Sequence, residues 1–242
     1  MFGEIAMSPY RQPSSVDCTN CEYRSLRVFC NLSSHALEDL NSIGKHVNLP
    51  KGAILFQEED PSQNVSILCE GQVKLSCTSR EGKTLILKIA VPGDVLGLGA
   101  VISNTPYEVT AEAIEPILVK NLRKNVFLAF LERHGGEAGM HAAKSLSEEY
   151  KTAFFDARRL ALAPSAAGRL ASVLLEWGHS TSCGQPVMKF TMSLTHEELA
   201  NLAGTSRETV TRVLGKMQKE KLIQINGSSV TILSPEKLQL LS

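Results

Sequence analysis

The spacing of apolar residues changes character several times along this chain of 242 residues. Leu32, Ala36, Leu37, Leu40 and Ile43 recur by threes and fours, which predicts a helix over these residues with Ser33 as its N-cap. From Val47 to Leu122 short β-type runs take over: Ile54–Phe56, Val65–Leu68, Val73–Cys77, Leu85–Val91 and Ile117–Leu122. Turn residues separate them at Pro50-Lys-Gly52, Glu70-Gly71, Arg80-Glu-Gly82 and Pro92-Gly-Asp94. Many short strands at near-regular spacing predict a compact β-roll or barrel. Helical spacing returns after Asn125, and Met140, Ala143, Leu146, Tyr150, Ala153, Ala157 and Leu160 form a narrow stripe on a helix of roughly six turns. Such a stripe between two domains predicts pairing with a second copy of the chain; packing on its own domain is the alternative. Pro164 stops or kinks this helix, and a further one covers Ala166 to Gly178.

The last third carries the pattern most specific to function. Thr195 to Lys219 divides into two helices joined by a tight turn, with capping boxes predicted at Thr195-x-x-Glu198 and Thr205-x-x-Glu208. Ala200 is small where the helices approach, and Gly204 suits a left-handed turn. On a helical wheel starting at Arg207, Glu208, Thr211 and Arg212 fall between about 40° and 140°, and Val210, Val213, Leu214 and Met217 between about 240° and 340°. One face is a core stripe; the other is an Arg/Glu/Thr/Arg surface suited to base edges. An ordinary helical hairpin gives no reason for that outward face. Two β runs, Leu222–Ile225 and Val230–Leu233, flank Asn226-Gly227 and predict a hairpin. Helix, helix, turn, helix and hairpin make a winged helix-turn-helix, a reader of double-stranded DNA.

Charge localises that reading. The 25 basic and 25 acidic side chains cancel, so DNA contact must come from a local patch, which Arg207, Arg212, Lys216, Lys219 and Lys221 supply against Glu208 and Glu220. No apolar run approaches the ~20 residues that span a bilayer, and no signal peptide opens the chain, so a soluble cytoplasmic protein without membrane partners is expected. The expected organisation is α+β: a flexible cysteine-containing segment over 1–31, a β-roll sensor over 32–132, a dimerisation helix over 133–163 and a winged helix over 164–242.

In that order the elements resemble the cyclic AMP receptor protein and fumarate-nitrate regulator (Crp/Fnr) family of bacterial transcription factors, over residues 32 to 242. Ser206-Arg-Glu-Thr-Val-Thr-Arg-Val-Leu214 is similar to the family's recognition helix, supported by Glu70-Gly-Gln-Val-Lys74 and Pro92-Gly-Asp-Val-Leu-Gly97. The resemblance implies a homodimer that reads inverted half-sites, with RNA polymerase as a further partner. It places Arg207, Glu208 and Arg212 in the major groove, an arrangement like that of the receptor-protein branch and suited to TGTGA-like half-sites. Arginine bonds guanine O6 and N7 bidentately, and glutamate accepts from the N4 amino group of cytosine. Thr205, Thr209, Thr211 and Lys216 are candidates for phosphate contacts, which position without specifying.

The resemblance also locates two inputs, both altered here. The cyclic-nucleotide cassette needs a Gly-Glu pair for ribose and an Arg-Ser or Arg-Thr pair for phosphate; the matching positions are Gly97-Leu98 and Glu108-Val109. A carboxylate where a cation is required repels the phosphate, and Phe154 and Phe155 stand where the purine would be hydrogen-bonded. Cyclic nucleotide is therefore not the expected ligand. Cys18-x2-Cys21-x8-Cys30 is similar to the iron–sulfur segment of the oxygen-sensing branch, but the fourth-ligand position holds Lys120, so a fourth thiolate would have to be Cys69 or Cys77. A zinc site completed by His35 or His46, direct thiol redox, and simple burial of Cys30 without any sensor stay open beside it. Two other classes compete: a β-roll controlling a partner enzyme or channel, and a thiol oxidoreductase using Cys18-x-x-Cys21. The first would lack a reading helix. The second wants its cysteine pair at a helix start in a βαβ frame. No nucleophile–base pairing supports another enzyme class.

Overall fold

The structure is a computed structural model and describes residues 17–21, 24–163, 165–182 and 188–241. The tail over 1–16, the stop at Pro164 and the loop cysteine Cys183 lie outside the described residues. Helix α1 (Ser34–Ile43) begins where expected: the Ser33 side chain accepts the N–H of Ala36, and Ala36, Leu37 and Leu40 are buried.

Eight strands follow: β1 (Lys45–Leu49), β2 (Ile54–Phe56), β3 (Asn64–Glu70), β4 (Val73–Thr78), β5 (Thr84–Ala90), β6 (Val95–Leu96), β7 (Thr110–Ala113) and β8 (Ile117–Arg123). They form two four-stranded antiparallel sheets, ordered β1-β8-β3-β6 and β2-β7-β4-β5. Leu68, Val73, Leu75, Ala90, Leu96, Ala111 and Val119 fill the interior of the roll. Full burial of each leucine or valine there stabilises by about 1.5–3 kcal/mol. The turn after β3 depends on Gly71, whose φ is +79° and whose missing Cβ would lie 2.5 Å from the Pro116 carbonyl oxygen. Helix α2 (Leu98–Ser103) sits between β6 and β7.

Helices α3 (Lys124–Arg133) and α4 (Gly135–Leu162) meet at His134. A second core joins them to α1 through Phe29, Leu37, Leu40, Phe127, Phe130, Ala138 and Ala142. Residues 17–21 and 24–31, expected within a flexible segment, are packed instead. Phe29 is fully buried, and the Cys18 N–H lies 3.4 Å from the Asn41 side-chain oxygen. One buried aromatic and one side-chain acceptor anchor a stretch whose Pro/Ser-rich prelude suggested a loose tail.

The stripe on α4 is also refined. Met140, Ala143, Tyr150, Ala153 and Ala157 are exposed, but Leu146 turns inward against the second core and Leu160 sits close to Gly204. Phe154, 52% exposed and stacked on Tyr150 with ring centroids 6.4 Å apart, completes the outward apolar face.

The C-terminal region comprises α5 (Ala166–Ser182), β9 (Met188–Thr191), α6 (His196–Ala203), α7 (Arg207–Lys219), β10 (Ile223–Asn226), β11 (Ser229–Ile232) and α8 (Pro235–Gln239). The hairpin turns at Gly227, φ +60°. Its wing has a third strand, β9, paired antiparallel to β11 with Phe190 opposite Val230. The roll abuts this region. Ile86 and Ile114 of the roll belong to the same buried cluster as α5, α6 and α7, and Lys74 of β4 bridges Glu112 (3.1 Å) and Glu198 of α6 (3.2 Å).

Between the roll, α4 and the wing lies a cleft of about 350 Å³ that contains Asp156 and Arg159. Arg159 donates to Asp156 at 2.8 Å and to Glu176 at 3.3 Å, while its buried Nε has no partner among the described residues. Burial outweighs the guanidinium and pushes Asp156 up to about 6, with Glu176 adding repulsion. The folded chain thus holds this proton more tightly than the unfolded one, whose aspartate titrates near about 4. Asp156 therefore favours folding below about 4, and its contribution is lost as pH rises towards about 6. Urea midpoints at pH 5 and pH 7.5 are expected to differ less in Asp156→Asn than in the parent, by on the order of 1 kcal/mol.

Candidate nucleic-acid interface and thiol cluster

Helices α6 and α7 form the helix-turn-helix. Thr195 caps α6 with a complete capping box: its hydroxyl accepts the Glu198 N–H, and the Glu198 carboxylate accepts the Thr195 N–H at 2.8 Å. The turn passes through Gly204 at φ +58°, where a Cβ would come within 3.1 Å of Leu160 of α4. Helix α7 starts one residue later than a Thr205 cap would place it. Ser206 is the N-cap, its side chain accepting the Thr209 N–H, while the Thr205 N–H closes the end of α6 on the Ala200 carbonyl at 2.9 Å. Two adjacent hydroxyl residues made the sequence ambiguous, and the backbone demand at the end of α6 decides between them.

On α7, Val210, Val213, Leu214 and Met217 are buried, with at most 6% exposure. Arg207, Glu208, Thr211, Arg212 and Lys216 are exposed, and Thr205 and Thr209 are half-buried at the edge of that face. The Glu208 carboxyl is held below the usual range by its own backbone N–H, the Ser206 hydroxyl and Arg207, so it is a charged acceptor. The Thr211 hydroxyl is engaged within the protein, donating to the Arg207 carbonyl at 3.0 Å and lying 2.8 Å from His196 Nδ1. Thr209 likewise accepts from Ser206 at 3.1 Å.

Sequence reasoning missed Arg169 of α5. Its Nε donates to the Ala203 carbonyl at 2.7 Å and its guanidinium reaches the Gly204 carbonyl at 3.3 Å, tying the turn to α5. Nothing in the periodicity of α5 distinguishes this arginine from a solvent-facing one. Arg169→Leu is expected to destabilise this region by about 1–2 kcal/mol, since two carbonyls lose a charged donor. Trp177, the one tryptophan, packs edge-on against Phe190 at 6.0 Å, so its fluorescence during denaturant unfolding reads that loss.

In the roll, Gly97 takes φ +77° ahead of α2, and Leu98 is buried at 1% exposure. Glu108 is exposed and accepts from the Thr105 hydroxyl at 3.4 Å; Val109 packs against the roll core. Between them Tyr107 is buried, stacked on Phe56 with centroids 4.0 Å apart and donating to the Asn64 carbonyl at 2.8 Å.

The N-terminal cysteines lie over the outer face of the sheet containing β3 and β8. Cys18 opens a 3-10 turn (Cys18–Asn20), and Cys18 and Cys30 both pack against the second core. Arg27 donates to the Cys69 carbonyl at 2.9 Å, drawing residues 27–30 onto the end of β3. Burial raises Cys18, and pushes Cys30 up to about 12 and Cys69 up to about 11. Among the described residues no three His, Cys, Asp or Glu side chains converge tightly enough to hold a metal ion, and the His35 ring lies against His134 at 5.4 Å. Lys120 is 1% exposed, with its ammonium 3.1 Å from the Asn41 side-chain oxygen and 3.3 Å from the Asn41 carbonyl.

Comparison with known proteins bears on both regions. Residues 168–241 match the Crp-like helix-turn-helix domain, and residues 46–134 the cyclic nucleotide-binding domain. The chain is 26% identical over 228 residues to the transcriptional activatory protein AadR of Rhodopseudomonas palustris, covering 93% of this chain and 92% of that one. It is 26% identical over 226 residues to the fumarate and nitrate reduction regulatory protein of Yersinia pestis, covering 93% and 89%. The structure of FixK2 from Bradyrhizobium japonicum superposes with a TM-score of 0.72 at 20% identity, over 83% of this chain and 98% of that one. No described helix is long and apolar enough to cross a membrane.

Proposed function

This chain belongs to the Crp/Fnr family of transcription regulators, and from that premise we propose that it binds TGTGA-like inverted repeats as a homodimer and answers to an oxygen or redox signal. Regulators of this type bind DNA through the helix-turn-helix and act as dimers, and its relatives are regulators rather than enzymes. The observation that carries the specific reading is the outward face of α7. Arg207 and Arg212 address guanines, Glu208 addresses a cytosine, and Lys216 with the edge threonines Thr205, Thr209 and Thr211 positions the backbone. We assign residues 32–132 to the sensor, 133–163 to the dimerisation helix with its apolar face of Met140, Ala143, Tyr150, Phe154 and Ala157, and 164–242 to the reader. RNA polymerase is the further partner.

For the signal, the roll offers a cyclic phosphate no cation: Glu108 stands where one is needed, and buried Leu98 replaces the ribose-holding carboxylate. The input lies instead at Cys18, Cys21 and Cys30, in keeping with relatives named for anaerobic regulation, such as the anaerobic regulatory protein of Pasteurella multocida. Among the described residues these thiols do not gather into a group that could hold a metal ion, so their arrangement fits neither a zinc ion nor an iron–sulfur cluster. Direct thiol redox at these cysteines is the input we propose.

Fluorescence anisotropy with a TGTGA inverted repeat, a single half-site and a scrambled duplex tests the DNA reading. Tighter binding to the repeat than to either other duplex is expected. Equal affinity for repeat and scramble contradicts it.

A further inference from the structure

The cleft between the roll, α4 and the wing is lined by no residue of α7 and by no cysteine. Its volume of about 350 Å³ falls in the range of small-molecule sites, about 300–1,000 Å³. Part of its wall is apolar. Leu87 and Ile89 of β5, Trp177 of α5, Phe190 of β9 and Met192 just beyond it line the cleft. Leu87, Ile89 and Trp177 are left half-buried there.

The wall formed by α4 is polar. Glu148, Thr152, Asp156 and Arg159 lie between about 80° and 160° on a helical wheel starting at Met140, whereas Tyr150 and Phe154 lie at about 280° and 320°. The cleft is therefore on the side of α4 away from the aromatic face, and pairing of two copies through that face leaves it open. Lys88 pairs with Asp94 at 3.0 Å, and Lys151 with Glu148 at 2.7 Å. Arg159 faces two carboxylates, Asp156 at 2.8 Å and Glu176 at 3.3 Å. Among the described residues these pairings leave one negative charge uncompensated. The consequence appears at Asp156, which burial pushes up to about 6 against the Arg159 guanidinium, with Glu176 adding repulsion. Arg159 also carries an unmet donor: its side chain is 9% exposed, and its buried Nε has no partner among the described residues. A buried N–H without an acceptor is destabilising.

We propose that this cleft is a binding site for a small amphipathic amine. Asp156 and Glu176 hold its ammonium, the Arg159 Nε–H donates to an oxygen on the neighbouring carbon, and an aromatic ring covers Leu87, Ile89 and Trp177. An anionic ligand meets repulsion from the surplus carboxylate, and an amine without a ring leaves the apolar wall in water.

Phenylalaninol, a primary amine with a ring and an adjacent hydroxyl, tests the site when titrated into the full chain at about pH 7.5, where Asp156 is ionised. Trp177, the one tryptophan, reports occupancy by fluorescence, and calorimetry gives the affinity independently. Saturable binding at one site per protomer is expected. N-acetylphenylalaninol, without the charge, and ethanolamine, without the ring, should each bind about tenfold more weakly or worse. Phenethylamine, without the oxygen, should bind several-fold more weakly. Asp156→Asn and Glu176→Gln should each weaken phenylalaninol by about tenfold. Glu176→Gln, at an exposed position, carries the test if circular dichroism shows that Asp156→Asn disturbs the fold. No saturable signal from the unaltered chain overturns the site, as does equal binding of N-acetylphenylalaninol or full affinity in Glu176→Gln. Phenethylamine binding as tightly as phenylalaninol removes the Arg159 Nε–H from it.

Discussion

Replacing Arg207 with alanine is expected to weaken binding to a TGTGA-type repeat by about 1–3 kcal/mol per half-site, roughly ten- to hundred-fold, with the loss concentrated at one guanine. The Ser206 cap fixes where α7 starts and so puts Arg207 on its first turn. The buried stripe from Val210 to Met217 then fixes the helix's rotation, leaving Arg207, Glu208 and Arg212 outward. A bidentate contact depends on that rotation, because the guanidinium must meet two acceptors in one plane. On duplexes lacking the guanine, Arg207→Ala should bind much as the parent does. Lys216→Ala should instead weaken all sequences alike and reduce the salt dependence by about one counterion. Affinities measured on single-base variants of the half-site check this; a uniform loss for Arg207→Ala would remove it from base readout.

The second large effect is expected at α4. Phe154 is 52% exposed and Tyr150 is 71% exposed, stacked on one another on a face that continues through Met140, Ala143 and Ala157. Adjacent aromatics left open on a two-domain connector are costly unless covered, and a second copy of the same helix would cover them symmetrically. Phe154→Glu puts two like, unpaired charges across that contact and should convert dimer to monomer. Affinity for the inverted repeat then falls by about 10²–10⁴, because the second half-site no longer binds intramolecularly. Sedimentation velocity and anisotropy on the same samples check both halves. Lys144→Glu, an exposed charge elsewhere on α4, should leave both nearly unchanged. Retention of the dimer by Phe154→Glu would move the interface off this face.

Much of this organisation was legible in the sequence because it rests on periodicity and turn chemistry. The core stripe of α7, the Asn226-Gly227 hairpin and the longer strands of the roll follow from local patterns that tertiary packing then agrees with. What was not legible depends on partners distant in sequence. Strand β9 is a short run in a polar stretch, and becomes a strand because Phe190 meets Val230 and Trp177. Strands β6 and β7 are too short to show alternation. The inward turn of Leu146 and Leu160 depends on the elements beside α4, which spacing along one helix cannot reveal. The cap at Ser206 instead of Thr205 turns on the Ala200 carbonyl. Arg169 serves the reading site from another helix through backbone carbonyls, a contact with no sequence signature. Cys69 was visible as a cysteine in a strand, but the bond from Arg27 to its carbonyl, which brings residues 27–30 to the end of β3, has no sequence signature.

Selecting bound duplexes from a random library with the unaltered chain tests whether the α7 faces of a dimer read TGTGA-like half-sites. Enrichment of two inverted half-sites about one helical turn apart is expected, each carrying the guanines and cytosine that Arg207, Arg212 and Glu208 address. Enrichment of a single unpaired motif, or of no motif above the starting library, would contradict it.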